Sequence, residues 1–246
     1  MVTVKKHGLF IDLQSNSVVG QTRLLRWFPP WLCIEYTRWM IAAIALGPWP
    51  QSIGLIGLGG GAQAHFCYRY FPKARICVVE NDPKVLDLRR VFRLPPDNGR
   101  FRIELDDAAA WIRRQPGAFD LLLVDAYTAA GLAPQVATQP FYQDCRAALT
   151  PCGCVSFNFY AFPLAESIAH LDQIFAEQVL LLAPTRHDNS VVIASNQRLP
   201  HDIFQHVQLP WSARWQLRAA FRTLKQALSC SSSLPNVAQQ KRQLIC

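Results

Sequence analysis

The side chains in this sequence that could do chemistry are a glycine cluster and a series of acids that follow it at regular intervals. The cluster is Gly57-Leu58-Gly59-Gly60-Gly61. Glycines at the end of a strand allow a tight turn and let a ligand come close to the backbone. A helix that starts just after them offers unpaired N–H groups and the positive end of its dipole. Glu80 follows 19 residues after Gly61, where a carboxylate can accept hydrogen bonds from both hydroxyls of a ribose. Asp106-Asp107 and then Asp125 complete the series. Each acid could instead cap a helix, and Asp82 in Asn81-Asp82-Pro83 suits that role better than Glu80.

Positioning these groups requires strands that end where they stand. Ile53–Gly57, Ala74–Glu80, Phe101–Leu105 and Phe119–Asp125 read as short apolar strands, and the acids sit at or just beyond their ends. Between them, 62–70, 83–92 and 107–114 read as helices. The alternation continues through a helix over 141–149, a strand over 154–159, a helix over 164–177, and strands over 179–182 and 190–194. Strand and helix in turn predict an α/β fold with a mostly parallel sheet and helices on both faces. The ends of such strands line a ligand crevice, so the acids should converge there. Upstream, residues 3–26 read as strand, turn, strand. Gln14–Ser17 supplies the turn, and Val18-Val19 begins the second strand. Ile34–Leu46 reads as a mostly buried helix that ends at Gly47-Pro48. Three units are expected: 1–47, an N-terminal β-hairpin and helix; 48–205, the nucleoside-binding unit; and 206–246, a basic C-terminal helix and tail.

Composition limits the alternatives. Half of the residues are hydrophobic and only 17% are charged, which excludes a disordered chain. The longest apolar run, Met40–Leu46, is too short to span a bilayer. No signal-peptide core follows Met1–His7, and the eight cysteines contain no CxxC pair. Reduced core cysteines and a cytoplasmic location are expected, with no metal site. The net charge is +8, but residues 1–202 contribute only +2 of it. Arg214, Arg218, Arg222, Lys225, Lys241 and Arg242 supply the rest, the first four at helical spacing with Leu217, Phe221, Leu224 and Leu228 partly opposite. That pattern predicts an amphipathic helix packed on the core, and nucleic acid becomes a question for this segment alone. Ser229–Gln243 reads as a frayed tail.

A glycine loop, a ribose acid, an acid after the third strand and an acid after the fourth form the order of S-adenosyl-type transferases. A dehydrogenase would want G-x-G-x-x-G, and this chain reads G-x-G-G-G-A from Gly57. The run from Leu9 to Phe159 resembles the spermidine synthase (polyamine aminopropyltransferase) family. The matching pieces are the N-terminal hairpin, Tyr36-x-x-x-Met40, the Ile53–Ala62 glycine loop and Val78-Val-Glu-Asn-Asp82. Asp106-Asp107-Ala108, Phe119-Asp-Leu-Leu-Leu-Val-Asp125 and the segment Leu132–Gly153 follow, the last including Phe141-Tyr142; Gly131–Phe141 is the gate-like part.

The resemblance implies a Rossmann-like domain behind a small β domain, and an aminopropyl group moved from decarboxylated S-adenosylmethionine to an amine. By that likeness Glu80 binds the ribose and Asp107, with Asp106 beside it, the adenine. Gly57, Gly59 and Gly61 pass the nucleoside's thioether or amino-alkyl arm, and Asp125 is the catalytic acid. Tyr36, Tyr127 and Thr128 are candidates for the substrate side, and members of the family are commonly homo-oligomers. Three positions depart from the pattern. Thr128 stands where a second aspartate would, Gly60 where the loop's acid would, and Thr37 where a histidine would. The nucleoside half is kept and the amine half is altered. An S-adenosylmethionine-dependent methyltransferase and a binding-only homologue therefore stay open beside the aminopropyltransferase. Among other side chains, His65 reads as a helix-surface residue, His187-Asp188 as a turn, and Tyr160 as pocket wall or core. Ser156 lacks the surroundings of a hydrolase nucleophile.

Overall fold

In the computed structural model, residues 3–14, 20–128, 131–160, 164–182, 188–200, 202–203 and 207–232 are described. The central sheet has seven strands in the order β11-β12-β10-β7-β4-β5-β6. Five of them run parallel: β4 (Ser52–Ile56), β5 (Arg75–Glu80), β6 (Phe101–Leu105), β7 (Phe119–Val124) and β10 (Leu149–Tyr160). β11 (Val179–Leu182) and β12 (Asn189–Ser195) add an antiparallel edge beyond β10. β4 and β7 are buried almost throughout, as an apolar run covered on both faces must be.

One face of the sheet packs on α1 (Glu35–Ala42), α2 (Ala62–Tyr70) and α7 (Trp211–Ser232); the other packs on α4 (Ala108–Arg113), α5 (Gln139–Ala148) and α6 (Leu164–Ile174). Trp111 of α4, fully buried, stacks on Phe119 with ring centroids 5.5 Å apart. On α7, Leu217, Phe221, Leu224 and Leu228 are buried while Arg214, Arg218, Arg222 and Lys225 face outward, the amphipathic arrangement that the charge spacing predicts. α7 ends at Ser232, so most of the tail expected over 229–243 lies outside the described residues. No helix among the described residues is long and apolar enough to cross a membrane.

Several boundaries differ from expectation. The N-terminal hairpin is a three-stranded antiparallel sheet of β1 (Thr3–His7), β2 (Phe10–Gln14) and β3 (Gly20–Leu25). Gly8, at φ +53°, turns the chain inside what reads as one strand. Val18-Val19 lies outside the described residues. The helix expected over 83–92 is α-helical only as α3 (Pro83–Asp87); i→i+3 bonds such as Leu88 N to Val85 O tighten it, and Arg93 at φ +55° ends the segment before Pro95-Pro96. After Ala42 the first helix finishes as a 3₁₀ turn over Ala43–Leu46. β10 starts five residues before Cys154, and a register shift against β7 between Leu149 and Cys154 accommodates Pro151.

The acids gather because of this topology. β4, β5, β6 and β7 deliver Gly57, Glu80, Asp106 and Asp125 to the same edge of the sheet. The chain order reverses between β4 and β7, which opens a crevice at their carboxyl ends. The three-stranded sheet lies over that edge, since Thr22 of β3 hydrogen-bonds the glycine loop.

Candidate active site

At this edge lies a cleft of about 1080 Å³. Its floor is the glycine loop. Gly57 has φ +91°, and a Cβ there would stand 2.2 Å from the Asp125 carbonyl oxygen, so only glycine lets β4 and β7 release their chains this close together. Gly61 has φ +77° and caps α2 in the left-handed conformation. The Gly60 N–H donates to Thr22 Oγ1 at 3.0 Å, tying the N-terminal sheet to the loop.

Glu80 is held by main-chain donors. Leu58 N–H, from the glycine loop, donates to Oε2 at 2.9 Å; Asn81 and Asp82 N–H donate to Oε1 at 2.8 and 3.0 Å. An ionised carboxylate has about four acceptor sites, so capacity remains toward the cleft that Glu80 lines. Asp82 caps α3 by accepting from Lys84 N at 2.9 Å. Asp106 lines the cleft and forms an ion pair with Arg114. Asp107 stands just beyond the wall. It caps α4, accepting from Ala110 N at 2.9 Å, and Gln135 Nε2 lies 3.4 Å from its other oxygen. Ala108 lines the cleft beside it.

Asp125 follows β7 and faces the glycine loop across the crevice. Its carboxylate is gripped from two sides. Tyr36 Oη of α1 donates to Oδ2 at 2.9 Å, and Asn158 Nδ2 of β10 donates to Oδ1 at 2.8 Å. Burial pushes the Asp125 carboxyl above the usual range, while the two hydrogen bonds oppose that shift. Burial, with the Asp125 charge beside it, drives the Tyr36 phenol well above 10, so it acts as a donor. Tyr127 lines the cleft and donates to Asn158 O at 3.1 Å, and Tyr160 N–H donates back to Tyr127 Oη at 2.5 Å.

Thr128 is exposed on the cleft rim. Its hydroxyl donates to Gly131 O at 3.2 Å, across the ribbon of β8 (Tyr127–Thr128) and β9 (Gly131–Leu132). The gate-like segment continues as a 3₁₀ turn over Pro134–Ala137, and Gly131, Ala133, Gln135 and Val136 wall the cleft. Thr37 is buried and donates to Ile34 O at 2.7 Å; it lines a small cavity behind the glycine loop that Asp125 also lines. His65 is neither on the helix surface nor at the site. It is buried, with a ring nitrogen 2.8 Å from Phe92 O, and burial lowers its pKa. Asp188 lines the cleft at φ +59°; His187 lies outside the described residues.

Several cleft groups carry no signal in the sequence. Glu35 and Arg38 of α1 and Asp12, Thr22 and Arg23 of the N-terminal sheet line the cleft; the hairpin and Tyr36-x-x-x-Met40 mark their segments but not these side chains. Asn158 had a usable signal: it is an amide inside a largely apolar strand, and burying an amide is costly unless it is bonded; Asn189 stands just before the run 190–194 and had none. Among the described residues, no group of three or more His, Cys, Asp or Glu side chains could hold a metal ion.

No family model matches the chain. A polyamine aminopropyltransferase from Chromobacterium violaceum is 30% identical over 199 residues, covering 80% of this chain and 76% of that protein. Among solved structures, a probable spermidine synthase from Corynebacterium glutamicum superposes with a TM-score of 0.69 at 21% identity, covering 91% of this chain and 83% of the other. Human methyltransferase-like protein 13, solved with SAH, gives a TM-score of 0.59 at 23% identity, covering 78% of this chain and 93% of the other. The two structural likenesses show the fold, a Rossmann-like sheet; the relative's identity and coverage show that the chain belongs to the polyamine aminopropyltransferase family.

Proposed function

We propose that the protein moves an aminopropyl group from decarboxylated S-adenosylmethionine to a primary amine, with Asp125 as the catalytic acid–base. The observation that carries this reading is the Asp125 carboxylate, braced by Tyr36 and Asn158 opposite the glycine loop in an acidic cleft. Glu80 takes the ribose hydroxyls, and the adenine lies against Val79, Asp106 and Ala108. Gly57 and Gly59 let the sulfonium arm approach the backbone beside Asp125.

The acceptor amine enters as an ammonium with a pKa of about 10, so near neutral pH it must shed a proton, at a cost of roughly 4 kcal/mol. Asp125 attracts the cation, orients it and takes the proton. The freed nitrogen attacks the methylene next to sulfur, the C–S bond breaks, and methylthioadenosine leaves with the electron pair. Alignment of amine and methylene supplies much of the acceleration. With Thr128 in place of a second acid, a second ammonium of a polyamine acceptor would meet the other carboxylates that line the cleft, Glu35 and Asp188 among them.

One observation favours a second reading. Thr128 cannot bind an ammonium as an acid would, and the fold is shared with a methyltransferase-like protein. A mass-spectrometric assay offering both S-adenosylmethionine and its decarboxylated form to a panel of amines separates the two. Propylamine transfer lost in Asp125→Asn supports the first reading, and methyl transfer establishes the second.

A further inference from the structure

Asp125 is held by a chain of amides that the sequence motifs do not mark. Asn158 Nδ2 donates to Asp125 Oδ1, and Asn189 Nδ2 donates to Asn158 Oδ1 at 3.0 Å. Both asparagines are buried, at 3% and 7% exposure. They sit on paired strands, with Asn158 opposite Val191 and Tyr160 opposite Asn189, so their backbones are fixed by the sheet. The chain has a direction. An ionised carboxylate only accepts, so Asn158 must turn its N–H toward Asp125 and its oxygen toward Asn189, which must then donate. A proton on Oδ1 would set two donors against each other. A proton on Oδ2 meets only the Tyr36 hydroxyl, which can rotate and accept.

The geometry points to Asn158 and Asn189 as positioning residues that keep Asp125 Oδ1 an acceptor and direct the proton taken from the amine to Oδ2. The step balances: an amine N–H bond breaks, an O–H bond forms at Oδ2, and the nitrogen keeps the electron pair with which it attacks. Its kinetic consequence rests on the proposed transfer, whereas the direction of the amide chain does not.

Other charged groups face the same crevice. Glu35 and Arg38 come from α1, Glu80 from β5 and Asp188 from the approach to β12. Arg23 of β3 shares a small cavity with Asp125 behind the glycine loop, and its charge is taken up by Asp12. Asp82 and Lys84 stand at the start of α3, Asp106 follows β6 and pairs with Arg114, and Cys33, Tyr36, Tyr127 and Tyr160 complete the titratable set. Of all these, Tyr36 alone hydrogen-bonds the Asp125 carboxylate, so removing the Asn158 donor leaves the Oδ1 side of the carboxylate without its bond.

The test is a ¹³C NMR titration of the Asp125 carboxyl in the ligand-free protein, assigned by the signal missing from Asp125→Asn. Asn158→Leu is expected to raise its midpoint by about one pH unit or more. Asn189→Leu raises it by less, because the donor stays but loses its orientation. Asn158→Ser, which keeps a donor, recovers part of the shift. If Asn158→Leu does not fold, Asn189→Leu carries the same question. The acid limb of kcat against pH moves with the NMR midpoint, and methylthioadenosine affinity holds. Unchanged midpoints in the folded variants overturn the inference. Shifted midpoints in a protein that transfers no propylamine would uphold the amide chain and count against the proposed function instead.

Discussion

Glu80 and Asp107 show how alike two acids can look in a sequence and how differently they are held. Both stand at or just after a strand end in the same sheet. Glu80 is anchored by the glycine loop's own backbone and keeps acceptor capacity toward the cleft. Asp107 uses one oxygen to cap α4. Spacing marks an acid at a strand end, but the side chain's direction depends on the turn that follows. If Glu80 binds the ribose, Glu80→Ala removes two charge-assisted hydrogen bonds, and methylthioadenosine binding should weaken by about 10- to 100-fold in calorimetry. Asp107→Asn keeps a capping oxygen and should change that affinity by less than about threefold. For Asn158 the partner stayed hidden for a related reason: an amide in an apolar strand signals a buried hydrogen bond, and only the placing of β10 between β7 and β12 shows that the bond is to Asp125.

At the scale of elements, the parallel strands were legible because each is a short, continuous apolar run bounded by turn residues. The three-stranded N-terminal sheet was not, because β1 is almost wholly exposed and carries two lysines, so it lacks an apolar face to read. What holds that sheet together is partly polar. Asp12, 5% exposed on β2, accepts from Arg23 Nε at 3.0 Å and Nη2 at 2.8 Å on β3, with His7 Nε2 of β1 at 2.8 Å. The Arg23 guanidinium, aided by His7, holds the Asp12 carboxyl below its usual range against the opposing effect of burial. A carboxyl depressed by folding contributes stability above its unfolded pKa, about 3.9, and loses it as pH falls through the folded value. Asp12→Asn should therefore lower the unfolding free energy at pH 7 by about 1–3 kcal/mol. The gap to the native protein should close as denaturation is repeated at pH 4 and below. A gap that persists at pH 2 would mean that packing, not charge, is what Asp12 supplies.

Across the whole molecule, charge is separated by location. The chain carries +8, yet the charged side chains lining the cleft are seven acids and three bases. The excess of positive charge lies on the outward face of α7 and after it. A cationic acceptor is thus repelled by the molecule as a whole and attracted by the cleft, whose low-dielectric walls focus the field. The Debye length falls from about 10 Å at 0.1 M salt to about 3 Å at 1 M. KM for a diamine should then rise severalfold over that range while affinity for the uncharged methylthioadenosine changes little. A KM indifferent to salt would remove the acidic cleft from the account of acceptor binding.

The central claim is that Asp125 drives aminopropyl transfer. A single-turnover mass-spectrometric measurement, with enzyme in excess over decarboxylated S-adenosylmethionine and a saturating diamine, tests it most directly. Formation of methylthioadenosine together with the propylamine-extended acceptor, slowed by about 10²- to 10⁴-fold in Asp125→Asn, is the result expected of a general acid–base. Propylamine transfer at an unchanged rate in Asp125→Asn, or no transfer from a protein that binds the nucleoside, would contradict it.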